Sequence, residues 1–121
     1  MMPPIFPIVA ASAAAQAARG AAPGRFFPFG AAPQDVALPY AVWQTVDGAP
    51  ENYLGNLPDA DVCTVQVDVY AAEPDSAASA TVALRDAIEP HAHITLWMGT
   101  TRDDATGRWR ATFRLDWIVQ R

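Results

Sequence analysis

His91 and His93 stand two apart beside Glu89, and two imidazoles at that spacing share a strand face on which they could hold a metal. Pro90 breaks the geometry just before them, and with 2 histidines and 1 cysteine in the chain no third soft ligand completes a typical closed site, so they read as a structural pair in a loop. A nucleophile needs Ser, Cys or Thr beside a base. Cys63 falls on the apolar face of an alternating run, where a thiol is a small buried hydrophobe, and a single cysteine excludes an internal disulfide. Gly20, Gly24 and Gly30 have the wrong spacing for a phosphate loop, and no lysine exists to serve one. Asp103 and Asp104 read as turn formers. Trp43, Trp97, Trp109 and Trp117 could stack on bases, yet in strand-like surroundings they read as core. The chain is therefore expected to be no enzyme, with no catalytic, cofactor-binding or metal-binding residue.

Charge narrows the partners. The 121 residues carry a formal charge of −5 and every cation is arginine. An acidic balance disfavours sequence-specific nucleic-acid binding, which rests on a basic patch. Residues 1–100 hold three arginines against ten acids, whereas residues 101–121 hold Arg102, Arg108, Arg110, Arg114 and Arg121 against three. A basic end and an acidic remainder suit a head-to-tail contact between copies, although arginines alternating along a strand are also the ordinary pattern of a solvated face.

The elements that position these residues follow from period and punctuation. Alanine-rich residues 5–19 read as a first helix with Pro7 in its first turn and Gly20 as its stop. Phe26, Phe27 and Phe29 cannot all stay in water, so part of that stretch is expected to enter the core as a short strand or wedge. Pro39 sets an extended start for a strand over 40–46, ended by Asp47-Gly48 and Pro50. Cys63, Val65, Val67 and Val69 alternate with Thr64, Gln66 and Asp68 in a second strand over 61–70. The loop between, 47–60, is long for a hairpin and carries Tyr53, Leu54 and Leu57, as an arm lying on a neighbouring subunit would; the same side chains could instead tuck onto their own sheet. A second helix is expected over 75–88 with Asp75 or Ser76 as cap, and Ala77, Ala80, Leu84, Ala87 and Ile88 as its apolar stripe. Residues 92–98 form a third strand, 99–107 a turn, and Trp109 to Val119 a fourth strand alternating through Ala111, Phe113, Leu115 and Trp117. The expected fold is α+β in one domain over 1–121: a four-stranded, mainly antiparallel sheet with two helices on one face, in the order αββαββ.

Four motifs carry a resemblance: Leu38-Pro39-Tyr40-Ala41-Val42-Trp43-Gln44, Pro50-Glu51-Asn52-Tyr53-Leu54-Gly55, Val65-Gln66-Val67-Asp68-Val69-Tyr70, and Leu84-Arg85-Asp86-Ala87-Ile88-Glu89-Pro90-His91. From Pro4 to the last strand the chain resembles the tail completion, or tail terminator, proteins of long-tailed bacteriophages. It departs from them in its alanine-heavy first helix and in the extra phenylalanine of Phe26-Phe27. The resemblance implies a structural virion protein without a cofactor, assembled in the host cytoplasm into a hexameric ring at the head-proximal end of the tail tube. Such a ring terminates the tube and joins tail to head, with the tube protein and a head-completion or connector protein as partners and DNA passing its lumen. Glu51, Asn52, Tyr53, Leu54, Leu57, Arg102, Arg108, Arg110 and Arg114 are the candidate contacts. The residues alone leave two other classes open: a small α+β ligand-binding or regulatory domain, and a small α+β barrel enzyme that would need His91 or His93. No run of eighteen apolar residues exists to span a membrane, and no basic region precedes the apolar N-terminal stretch as in a secretory signal.

Overall fold

The structure, a computed structural model, describes residues 4, 5, 7, 8, 26–28, 38–50 and 60–120, with no side-chain placement at 49, 50 and 120. Its centre is the alternating segment Ala60–Ala71, hydrogen-bonded along both sides. Because successive side chains of a strand point to opposite faces, Cys63, Val65, Val67 and Val69 lie together and all have 0% exposure. The partner strand Trp109–Gln120 runs antiparallel, with Cys63 opposite Trp117, Val65 opposite Leu115 and Val67 opposite Phe113. Each apolar residue thus meets another across the ladder, and a one-residue slip would send the whole set into water.

Numbered along the chain, the strands are β1 (Phe26–Pro28), β2 (Tyr40–Pro50), β3 (Ala60–Ala71), β4 (His93–Arg102) and β5 (Trp109–Gln120), in the sheet order β1-β2-β3-β5-β4. β1 pairs with β2 in parallel and every other pairing is antiparallel. Helix α1 (Pro74–Ile88) connects β3 to β4 and packs on the face that carries the valines. Glu73 is its extended N-cap and Pro74 takes the first turn, where a missing amide removes no helical bond. Ala77, Ala80, Thr81, Leu84 and Ile88 form the buried stripe, and the Thr81 hydroxyl donates to the Ala77 carbonyl at 2.6 Å.

The expected four-stranded sheet with two helices is corrected to a five-stranded mixed sheet with a single helix element among the described residues. Phe26 supplies the reason. At 1% exposure it joins the core cluster, and its backbone then lies beside Ala41, where it adds a parallel edge strand. Ile5, Pro7 and Ile8 have helical backbone, with Ile5 fully buried against the core, and the other positions of the expected first helix lie outside the described residues. The loop expected over 47–60 is also shorter. A register shift between Thr45 and Asp47 lets β2 continue to Pro50, and β3 begins at Ala60. α1 starts one residue early because Pro74 itself is helical, and Thr81 is among its buried residues while Ala87 lies partly exposed. β4 outlasts its expected end at Met98, and the turn after it is organised by Asp103, whose carboxylate accepts from the Ala105 amide and the Thr106 hydroxyl, both at 3.1 Å. Gly107 closes that turn at φ 71°, a left-handed conformation open to glycine without strain.

Phe113→Ala removes a fully buried ring opposite Val67 and is expected to cost about 3–5 kcal/mol, whereas Ile118→Ala, at 56% exposure, changes stability by no more than about 0.5 kcal/mol. Urea denaturation of the two variants checks the contrast.

Candidate functional site

The sheet face away from α1 is polar and tied together by side chains. Asp68 is its hub. Although β3 alternation assigns it to the wet side, it is 2% exposed, because groups on β3 and β5 close over it. Arg110 donates Nε and Nη2 to Asp68 Oδ1 at 3.3 and 3.0 Å, and the Thr112 hydroxyl donates at 2.6 Å. Gln66 Nε2 donates to the same carboxylate at 3.2 Å, while Gln66 Oε1 accepts Nε of Arg114 at 3.0 Å. Farther along, Thr64 donates to Asp116 at 2.8 Å. Tyr40 and Tyr70 stack with ring centroids 5.1 Å apart, and Arg108 donates to the Tyr40 hydroxyl at 3.1 Å. Burial works against the charge of Arg110, yet the hydrogen bond and charge of Asp68 outweigh it and raise the guanidinium pKa. Burial also raises the Tyr70 phenol.

Arg108, Arg110 and Arg114 therefore share one face, each held by a neighbour. Arg102 does not join them: it ends β4 opposite Trp109, in register with the helix side. Glu51, Asn52, Tyr53, Leu54 and Leu57 lie outside the described residues.

The second feature is β4, the outer strand beyond β5. Leu96, Trp97 and Met98 follow one another along it with exposures of 44, 45 and 50%. Trp97 stacks on Phe113 at 5.4 Å and the Arg85 guanidinium lies 5.2 Å from its ring centroid, so it is an anchored surface aromatic, unlike the buried Trp117. Trp43 and Trp109 are half-buried. Sequence reading passed over Asp68 and this apolar triplet; the broken alternation at 96–98 was the available signal.

His91 and His93 line an open groove of about 460 Å³ with Glu89, Asp116 and Ile118, and the His91 ring lies parallel to Trp117 at 6.5 Å. Among the described residues no three His, Cys, Asp or Glu side chains stand where they could hold a metal. No helix among them is long and apolar enough to cross a membrane. Cys63 is buried and its thiol is pushed up by that burial.

A family model described as tail completion protein gp17 matches residues 4–120. The chain belongs to that family. Its members are structural proteins of phage tails, and the described sheet from β1 to β5 falls within the matched span. In fold the chain is similar to a chain of a solved structure titled "Virion of native gene transfer agent (GTA) particle", at a TM-score of 0.71 and 16% identity, over 97% of this chain and 92% of that one. No curated protein sequence matches.

Asp68→Ala leaves the Thr112 hydroxyl and two Arg110 donors without their acceptor and is expected to cost roughly 2–3 kcal/mol, held down because Arg110 is partly in water. The midpoint of chemical denaturation reads it. Because the Cys63 pKa is raised on folding, stability is full below the thiol's ordinary value of 9.0 and falls as pH rises past it. Denaturation curves on either side of that pH should show the fall in the native chain and a smaller one in Cys63→Ala.

Proposed function

We propose that the chain is a structural part rather than a catalyst, one domain that closes with further copies into a hexameric ring on the head-proximal end of the tail tube. The ring stops tube polymerisation and presents the surface on which the head is joined. Membership of the tail completion protein gp17 family supports the setting, and the observation that carries the reading is the outer strand β4, which exposes Leu96 and Met98 on the sheet face away from α1 and Trp97 on the other. Large apolar side chains adjacent on a sheet edge are kept in soluble proteins where something covers them.

In this reading Glu51, Asn52, Tyr53, Leu54 and Leu57 form an arm that reaches a neighbouring subunit, while Arg102, Arg108, Arg110 and Arg114 serve contacts between copies or with the tube. Termination follows from unlike faces: one matches the exposed end of the tube, the other does not match a further tube layer and fits a head-completion protein instead. An acidic subunit lets DNA pass the lumen without holding it. The protein assembles in the host cytoplasm and remains in the virion, binding no cofactor.

Electron microscopy of tails from a deletion strain tests this. Tubes of uncontrolled length without capsids are expected, restored to normal by the native chain but not by Tyr53→Ala. Tails of normal length that still join heads in the deletion would refute it.

A further inference from the structure

Building on the ring reading, we propose that neighbouring copies meet front to back, the outward stripe of α1 in one copy lying in the groove between Arg110 and Arg114 on the sheet face away from α1 of the next. The stripe consists of Asp75, Ala78, Val82 and Asp86, spaced so that all four project from one side of the helix, opposite the buried stripe. All four are exposed, Val82 at 39%. Two carboxylates thus bracket a small apolar strip. The receiving groove, of about 310 Å³, has the converse pattern: Arg110 and Arg114 at its ends, Met98 and Thr112 between them.

The two patterns match in scale. Asp75 and Asp86 are separated by about 16 Å of helix at 1.5 Å per residue, and Arg110 and Arg114 by about 14 Å of strand at 3.4 Å per residue. The remainder is well within the reach of an arginine side chain. Ala78 and Ser79 are small enough to let the helix approach a sheet closely, with Met98 against Val82.

Charge selects this arrangement over a symmetric one. Arg114 bonds only the neutral Gln66 carbonyl oxygen and makes no ion pair among the described residues, and the Arg110 side chain stays 43% exposed while bonded to Asp68. Asp75 has no ion pair among the described residues, and Asp86, itself exposed, has only the half-buried Arg85. Placing either patch on its own copy would oppose like charges. Placing one on the other pairs them, and a head-to-tail contact of that kind closes into a ring when its rotation allows.

Charge reversal tests the pairing in the purified chain. Arg114→Glu should weaken self-association about tenfold in sedimentation with an unchanged melting temperature, and so should the double change Asp75→Arg with Asp86→Arg, which lowers the melting temperature only slightly because Asp75 leaves the first turn of α1. An equal mixture of the two should associate more tightly than either variant alone, because the reversed charge at position 114 then meets an arginine of the reversed helix and each native groove meets a native helix, while Arg110 facing the other new arginine keeps the recovery partial. For copies that meet only on the tail, Val82→Cys with Met98→Cys should give a disulfide-linked ladder in purified tails after mild oxidation. Variants that associate as the native chain does, a mixture that recovers nothing, or tails with a visible neck ring and no ladder would overturn the contact and leave the ring standing. Tails with no ring at that position would overturn both.

Discussion

The strand pair β3–β5 is the constraint on which the rest of the molecule depends. Across it Val65 meets Leu115 and Val67 meets Phe113, all fully buried, while the intervening positions pair Gln66 with Arg114 and Asp68 with Thr112. A single register therefore sorts the sheet into a core face and a polar face. α1 docks its Ala80, Leu84 and Ile88 where that core face is apolar, and Phe26 and Ile5 enter the same cluster from elsewhere in the chain. Burial of these side chains, at about 1.5–3 kcal/mol for each large one, holds the helix and the edge strand β1 to the sheet.

The same register creates the polar face. Asp68 sits where alternation puts it, and cross-strand neighbours Thr112 and Arg110 then converge on its carboxylate. A charge in the middle of a three-strand ladder is tolerated because donors from two strands satisfy it. The arginines of β5 are thereby fixed in position along the strand, which a solvated arginine would not be. That ordered face gives a structural protein of the tail completion family a surface with a defined pattern of charge, and Leu96 and Met98 of β4 border it with apolar side chains.

Much of this was legible in the residues. The alternation runs from Cys63 to Val69 in β3 and from Trp109 to Val119 in β5, and the α1 stripe recurs at helical spacing, so both could be read without knowing what they touch. The motifs around Leu38, Glu51 and Val65 pointed to the family that the chain belongs to. What escaped depended on distant partners. The phenylalanine stretch reads as a short strand or wedge entering the core, and it is one, but three residues carry no period, so its parallel place beside Ala41 as a fifth strand of the sheet was not legible. Val46 ends the expected first strand in sequence, yet the register shift there lets β2 run on. The concealment of Asp68 needs Arg110 and Thr112, more than forty residues away. Of the candidate contacts, the three arginines Arg108, Arg110 and Arg114 come together on one face, and Arg102 belongs to the other side.

β4 departs from regular pairing with β5 twice, between Ile94 and Leu96 and again between Met98 and Thr100, so that irregularities bracket Leu96-Trp97-Met98. A bulge bends its strand and steepens the local twist. An incoming strand could therefore follow the outer rim of the sheet in step for only about three residues before its amides and carbonyls fell out of phase. The rim is sticky but short. Uncontrolled fibre growth needs long, flat, continuous laddering, and this geometry withholds it while leaving an apolar foothold for a partner whose shape is already complementary.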